Sequence, residues 1–360
     1  MHRNTYDRRF RLVRDLPSGD KRVYLEIEIR RVRCPVTGKI KFEDLEAILA
    51  SPHSTKRYAM QIGRRCTQCT IKFVATEERL DWKTVKEYEK IYMQEKLDRR
   101  GEVNPRIIGI DEVSIRKGHT YRIVVSDLEK KEPIWFGGRD RSAESMDEFW
   151  SWLGPQKARE IRLVVMDMWP AFEESAKRNA PQAVILYDKF HLYQHLSKAM
   201  DDVRKNEYAR VSGEDRKFIK GQRYNLLAHP ENLSEDSRKS LQILLLANKR
   251  LNTAYVLKEE FGQLWDFRKS ERAEKFFDKW KQSLRWQRLK PFEKFAELVE
   301  SHWDGIMAIL DSENRKISLG YVEGLNNKIR VLQRKAYGLR DEEYLRLKVL
   351  SSGLPDFFTW

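Results

Sequence analysis

The fold is decided by residues 107–113, which read Ile107-Ile108-Gly109-Ile110-Asp111-Glu112-Val113. A short apolar run of this kind is typical of a buried strand. Side chains alternate between the two faces of a strand, so Asp111 shares its face with Gly109 and Val113. An ionised carboxylate on an apolar face is costly unless another group compensates its charge. The segment therefore predicts a buried strand whose aspartate needs a partner.

The segments that follow predict the rest of a sheet. Tight turns, the first at Lys117-Gly118, join three short strands and indicate an antiparallel meander. Ser142 or Ser145 can cap the next helix, and Pro170 fits the first turn of another. The order of three strands, a helix, a strand, a helix and a strand implies a mixed sheet covered by helices. The predicted strands are 107–113, 121–125, 133–136, 161–167 and 183–187.

A second carboxylate stands at the end of a predicted strand. Asp167 follows the mostly apolar segment 161–166, and ligands of open α/β sheets gather at the carboxyl ends of strands. Asp111 and Asp167 on neighbouring strands would repel each other, and a divalent cation held by oxygen ligands removes that penalty. Taken singly, each aspartate is better explained as a turn cap or a partner of an arginine.

Residues 317–334 predict a long helix with two distinct faces. One acid, followed along the helix by amide and guanidinium groups, is the pattern expected of a metal ligand next to residues that bind DNA phosphates. A solvated face with one Glu–Asn pair is the alternative that the spacing leaves open. The buried stripe comprises Val322, Leu325, Ile329 and Leu332. The adjacent polar face comprises Glu323, Asn327, Arg330 and Arg334.

The composition favours a nucleic-acid partner. Lys and Arg number 70 against 55 Asp and Glu, which gives a formal net charge of +15. Such a surface attracts polyanions, although excess lysine can also serve solubility alone. Three cysteines, no apolar leader and no run long enough to span a membrane favour a cytoplasmic protein without a membrane partner.

Residues 69–97 predict two helices broken at Asp81-Trp82. A short turn between two helices suits a helix-turn-helix, in which the start of the second helix enters the major groove of DNA. We then expect Lys83, Thr84 and Lys86 to contact DNA. A plain helical hairpin fits the spacing equally well. Farther along, 191–316 carry helical patterns and no convincing strand.

Five motifs resemble the ISL-three family of insertion-sequence transposases. The resemblance implies an RNase H-like catalytic domain, so that the fold class is α/β with a large helical insertion and an N-terminal helix-turn-helix. It also implies that Asp111, Asp167 and Glu323 are catalytic and hold two Mg²⁺ or Mn²⁺ ions. The chain would then cut and join DNA at transposon ends and target sites, as a homo-oligomer on DNA. The motifs are residues 108–112, 164–170, 187–191, 321–329 and 335–338.

The resemblance also suggests how the chain is divided and where it departs from the family. The family usually carries an N-terminal zinc-binding segment, but here Thr37 replaces the second cysteine of the knuckle that begins at Cys34. The pair Cys66 and Cys69 is two ligands short of a structural site, so structural zinc is not expected. The predicted domains are a basic segment 1–50, a helix-turn-helix domain 51–100, a catalytic domain 101–190 with 317–360, and a helical insertion 191–316.

Two other functions are compatible with these residues. A metal-dependent nuclease of RNase H type would cut DNA but not join it. A DNA-binding regulator would keep the helix-turn-helix and lose catalysis, which the intact set of three carboxylates disfavours.

Overall fold

The computed structural model describes residues 5–43, 45–49, 53–116, 120–310, 320–336, 339 and 341–356. The predicted turn at Lys117-Gly118, the start of the last long helix and the Tyr337-Gly338 motif lie outside these ranges. The chain forms two compact units, Met1–Val103 with Asn327–Trp360 and Asn104–Asn326. This division differs from the predicted domains, because residues 327–360 belong with the N-terminal unit and not with the sheet that carries Asp111.

An antiparallel sheet of three strands opens the N-terminal unit. Its strands are β1 (Thr5–Arg14), β2 (Tyr24–Arg33) and β3 (Ile40–Phe42), paired in that order. The strict alternation of residues 23–29 predicts a half-buried strand, which is confirmed as part of β2, and the other two strands were not predicted. A turn follows β2, in which the Gly38 N–H donates to the Cys34 carbonyl at 2.9 Å.

Helices complete the N-terminal unit. The two helices predicted within 69–97 are confirmed as α2 and α3, and the Asp81 side chain caps the second. Helix α1 was not predicted, since Gly63 interrupts its apolar pattern. A Cβ at Gly63 would lie 2.4 Å from Tyr92 Cβ, so the glycine allows α1 and α3 to pack closely. The helices of this unit are α1 (Lys56–Gln68), α2 (Ile71–Glu78), α3 (Trp82–Asp98) and α16 (Glu342–Ser351).

The second unit contains a five-stranded mixed sheet in the order β6-β5-β4-β7-β8. Its first three strands in the chain form the predicted antiparallel meander, and β4, β7 and β8 run parallel. The predicted mixed sheet is therefore confirmed. The strands are β4 (Ile107–Arg116), β5 (Thr120–Asp127), β6 (Glu132–Gly137), β7 (Leu163–Met166) and β8 (Val184–Tyr187).

Helices join and accompany these strands as predicted. Ser142 caps the helix after β6, and Pro170 occupies the first turn of the helix after β7. The last long helix, α15, crosses the boundary between the two units, between Asn326 and Asn327. These helices are α4 (Ala143–Leu153), α5 (Pro155–Ala158), α6 (Pro170–Asn179) and α15 (Gly320–Lys335).

Residues 189–310 are helical, with no strand. Their core is aromatic, and Phe261, Trp280 and Phe295 meet edge to face with ring centroids 4.9–6.1 Å apart. No helix in the described ranges is both long and apolar enough to cross a membrane. The helices are α7 (Lys189–Arg210), α8 (Gly213–Gly221), α9 (Arg223–Leu227), α10 (Glu235–Ala247), α11 (Lys249–Gly262), α12 (Ser270–Leu284), α13 (Lys290–Ser301) and α14 (Trp303–Met307), with 3-10 turns at Pro230–Asn232, Gln263–Asp266 and Ala308–Leu310.

Candidate active site

Three aspartates line up at one edge of the parallel part of the sheet: Asp167 and Asp188 follow β7 and β8, and Asp111 lies within β4 just beyond its pairing with β7. Gly109 of β4 pairs with Val165 of β7, so the same register two residues later places Asp111 beside Asp167. Met166 pairs with Tyr187 of β8, which in turn places Asp188 beside Asp167. The strand pairing thus gathers carboxylates at one edge, where open sheets bind ligands.

Asp111 is the most constrained of the three aspartates. Its Oδ1 accepts the N–H of Glu112 at 2.7 Å, and its Oδ2 accepts the Asn326 amide at 2.6 Å. Burial raises the pKa of Asp111 to about 7, and the charges of Glu112 and Asp167 add to the rise. A carboxylate kept partly protonated in this way gains stability from any added positive charge.

Close packing of helix α15 on strand β4 creates the contact between Asn326 and Asp111. A Cβ at Gly109 would lie 2.7 Å from Val322 Cγ2 and 2.9 Å from Leu128 Cδ2. Only a residue without a side chain leaves room there, and Val322 lies one turn before Asn326 on the helix. Gly109 therefore positions the amide that holds Asp111.

His191 faces the second aspartate. Its Nδ1 lies 3.4 Å from Asp167 Oδ2, and the contact with Asp167 raises the pKa of His191 to about 9, against the effect of burial. Burial alone would raise the pKa of Asp167, but the hydrogen bond and charge of His191 bring it below its usual value. From the sequence alone, His191 and His195 are four residues apart without a third ligand nearby, which predicts a structural role. The contact with Asp167 makes His191 a cation within the acid cluster.

Glu323 lies on the same helix as Asn326 and is exposed. Helix positions three apart are neighbours, so Glu323 is next to the residue that binds Asp111. Burial raises the pKa of Asp188, and the charge of Glu323 contributes to that rise. Within the described ranges, however, no three His, Cys, Asp or Glu side chains are arranged to hold a metal ion. The structure brings Asp111 and Asp167 together and leaves Glu323 at the margin of the cluster.

Two further groups at this site were not predicted. Glu112 pairs with Arg141, whose Nη2 lies 2.5 Å from Glu112 Oε1. The Arg141 guanidinium also lies over the Trp169 ring, 4.1 Å from its centroid. The sequence shows no signal for this pair, because the two residues belong to elements that only the fold brings together. Asp188 caps α7 through the Phe190 N–H at 2.9 Å, as its position after a strand predicts.

The predicted DNA-contacting residues on α3 differ in their surroundings. Lys83 is exposed, and its ammonium lies 5.8 Å from the centroid of the half-exposed Trp82 ring. Thr84 is half-buried. Lys86 is paired with Asp341, with its Nζ 2.7 Å from Asp341 Oδ2. Of the two lysines, Lys83 is therefore the one that is available to a ligand.

The predicted polar face of α15 is confirmed as exposed. Asn327, Arg330 and Arg334 all face solvent, and Arg330 Nη1 donates to Asn327 Oδ1 at 3.2 Å. In the predicted apolar stripe, Leu325 and Ile329 are buried, and Val322 and Leu332 are half-buried.

Comparisons with known proteins show the family to which this chain belongs. A family model described as transposase, of the DDE type, matches residues 108–349. The chain is 31% identical over 350 residues to the transposase for insertion sequence element IS1001 of Bordetella parapertussis, covering 96% of this chain and 85% of the relative. It is 28% identical to the transposase for IS1557 of Mycobacterium tuberculosis, over 92% of this chain and 79% of the relative. The matched domain is a DDE transposase domain, for which an RNase H-like fold is implied. The chain belongs to the ISL-three family of insertion-sequence transposases.

A DDE domain implies a divalent metal such as Mg²⁺, and the residues at the strand ends fit one. Their donor atoms are carboxylate oxygens, the ligands that hard divalent cations prefer. Asp111 and Asp167 repel each other in a partly buried setting, which a cation would relieve. The Asn326 Oδ1 atom is buried and accepts no hydrogen bond from the described residues.

The N-terminal segment matches a second family model, a zinc finger of transposases related to IS1001, over residues 2–36. This match counts against the expectation that structural zinc is absent. The residues themselves do not fit zinc, because the matched span contains a single cysteine, Cys34. Hydrogen bonds from Thr37 and from the Val36 amide lower the pKa of Cys34 to about 7. Thr37, at the position expected for a second cysteine ligand, thus stabilises the turn with a hydrogen bond.

Proposed function

We propose that this transposase cleaves and joins DNA phosphodiesters at insertion-sequence ends with Asp111, Asp167 and Glu323 as its metal-binding carboxylates. The observation that carries the proposal is the half-buried Asp111 carboxylate, which accepts the Asn326 amide at 2.6 Å and whose pKa is raised to about 7 beside Asp167. Two divalent ions bound there would stabilise charge on the attacking and the leaving oxygen of the phosphodiester.

The chain's own residues have separate tasks in this proposal. Asn326 orients Asp111 through its amide, which donates to Asp111 Oδ2. His191 carries the positive charge that the acids need before metal binds, since its pKa of about 9 keeps it protonated at neutral pH. Glu323, exposed on the same helix as Asn326, would complete the ligand set.

DNA binding uses basic residues outside the carboxylates. We propose that α2 and α3 form a helix-turn-helix that contacts DNA through Lys83 and Thr84. Arg330 and Arg334 on α15, with Asn327, would contact the phosphate backbone, because guanidinium groups bind phosphate oxygens in a bidentate manner. Transposases of this class act on paired DNA ends, so we also propose a homo-oligomer on DNA.

The carboxylates can be tested one at a time. Asp111→Asn, Asp167→Asn and Glu323→Gln should each lower strand cleavage by about 1,000-fold or more, as the loss of about 4 kcal/mol of charge stabilisation implies. DNA affinity measured by anisotropy should change less than about threefold, because the basic residues remain. Asp188→Asn is the matched control and should retain most of the cleavage. Substantial cleavage by a variant of the proposed three would remove that residue from the ligand set.

The products distinguish a transposase from a nuclease. Incubation of a DNA carrying the element's ends with target DNA and Mg²⁺ should give joined strands as well as cuts. Cuts without joined strands in any condition would favour the nuclease.

A further inference from the structure

The turn between α12 and α13 presents one aromatic ring to solvent. Trp286 is 88% exposed, although Leu284 and Leu289 on either side of it are 2% and 1% exposed. The backbone therefore enters and leaves the helical core within five residues, and the indole stands on the projecting part.

The same helical block buries another of its indoles. Trp280, six residues earlier, is 3% exposed, and its Nε1 donates to the Leu257 carbonyl at 2.9 Å. An indole left in water gives up the stabilisation that Trp280 gains from burial and from its hydrogen bond. The exposure of Trp286 therefore reflects the geometry of the turn and not a shortage of core.

The turn is held in one conformation. Arg288 adopts a φ of +51°, a left-handed conformation that non-glycine residues rarely occupy. The Arg250 guanidinium donates to the Arg288 carbonyl at 3.1 Å, and the Gln287 N–H donates to the Leu284 carbonyl at 3.0 Å. A ring on such a support binds with little loss of conformational entropy.

The segment on both sides of the ring is basic. Residues 284–292 contain Arg285, Arg288 and Lys290 and no acidic residue. In the described part of the chain, none of these three side chains forms an ion pair with a carboxylate, whereas Arg250 beside them pairs with Glu207 at 3.1 Å. The turn thus combines a flat aromatic surface with cations that a polyanion can neutralise.

We propose that Trp286 is a stacking site for an unpaired base of DNA, with Arg285 and Arg288 binding the adjacent phosphates. Stacking on an aromatic ring together with a cationic surface is how proteins bind single-stranded nucleic acid. The proposal rests on the proposed function in one respect, that DNA is the polymer on which the chain acts. It adds a site for DNA whose strands have separated.

A protein or lipid surface fits this turn less well than DNA. Docking on either would need a contiguous apolar patch, and the exposed neighbours of Trp286 are Arg285, Gln287 and Arg288. A single ring between cations matches the alternation of base and phosphate along one strand.

The full-length protein and two labelled DNA probes test the site. One probe is a fully paired duplex, and the other is the same duplex with a central stretch of unpaired thymines. Trp286→Ala should weaken binding of the second probe by roughly 5- to 150-fold, the range that stacking of one base commonly contributes. Binding of the paired duplex should change less than twofold. Trp286→Phe, which keeps a flat ring, should restore most of the affinity.

Tyr224→Ala is the matched control. Tyr224 is 76% exposed in the same helical block and lies beside Arg223, but Arg223 pairs with Asp201 at 3.5 Å. This variant should bind both probes as the parent does. Equal binding by the parent and Trp286→Ala, equal loss on both probes, or a loss only on anionic vesicles or in self-association would each overturn the proposal.

Failure of this site and failure of the proposed function give different results. If the parent cleaves DNA in Mg²⁺ and Trp286→Ala binds the unpaired probe normally, the stacking site alone is wrong. If no condition gives cleavage but Trp286→Ala still loses the unpaired probe selectively, the stacking site stands and the catalytic proposal is wrong.

Discussion

Two glutamates of the N-terminal unit and three aspartates of the mixed sheet differ in their charged partners. In the N-terminal unit, Glu78 accepts from Arg14 at 2.7 Å and Glu89 from Lys348 at 2.5 Å. At the strand ends of the other unit, no lysine or arginine in the described ranges pairs with Asp111, Asp167 or Asp188, and one histidine serves the cluster. A paired carboxylate stabilises a fold, whereas a cluster short of positive charge is prepared for a cation. The difference separates structural acids from functional ones, which spacing along the chain does not.

Among the tests of this comparison, we expect the largest loss of cleavage rate from a substitution at Gly109. Gly109→Ala places a Cβ 2.7 Å from Val322 Cγ2, so α15 must move and the Asn326 contact with Asp111 must lengthen. A displacement of about 1 Å at a catalytic group can cost roughly 100-fold in rate, and we expect cleavage to fall by about that factor. Val322→Ala in the same chain should restore much of the rate by removing the obstructing methyl group. Unaltered cleavage by Gly109→Ala would show that the close packing does not position the site.

A smaller effect should separate the two lysines on α3. Lys83→Ala should lower the slope of log affinity against log salt by about 0.9, the contribution of one phosphate contact. Lys86→Ala should leave the slope unchanged, because Asp341 already neutralises that charge, and should lower the melting temperature slightly. DNA binding titrated at several salt concentrations measures both. If Lys86→Ala lowered the slope and Lys83→Ala did not, the ion pair between Lys86 and Asp341 would open on DNA and our prediction would be wrong.

The smallest effect concerns the zinc-ribbon segment, for which we propose that no zinc is bound. In a Cys69→Ser background, the rate at which iodoacetamide labels Cys34 should rise with pH through a midpoint near 7, because its thiolate is the reactive form and Thr37 stabilises it. Thr37→Val should move the midpoint toward the ordinary thiol value of about 8.5. Cys66 serves as the internal control, because burial raises its pKa to about 12. Labelling that needs a zinc chelator would contradict this proposal.

Strands β4 and β7 could be predicted because each contains a short apolar run, whereas the proposed role of Asp111 and Asp167 came from the family resemblance and not from their positions alone. Strand β1 could not, since Phe10 is 68% exposed and Leu12 is 66% exposed, so its alternation marks no buried face. The Asn326 contact with Asp111 joins residues 215 positions apart. Such a contact depends on how helix and sheet pack, and nothing local in the sequence encodes it.

The sequence also does not show which residue pairs with a given charged side chain. Lys83 and Lys86 are equivalent by helical spacing, and only the fold brings Asp341 to Lys86. The position of His191 on a helix face does not indicate its partner. Asp167 contacts it because of how β7 and β8 pair. No periodic pattern in the sequence marks Trp286 as exposed. It lies in the turn in which Arg288 adopts a left-handed conformation.

The most direct test of the central claim is a crystal structure of the protein with cleaved end DNA and Mn²⁺, read from the anomalous scattering of the metal. We expect two Mn²⁺ peaks about 4 Å apart, with oxygen atoms of Asp111, Asp167 and Glu323 among their ligands. A metal held by Asp167 and Asp188, with Glu323 remote from it, would contradict the assignment.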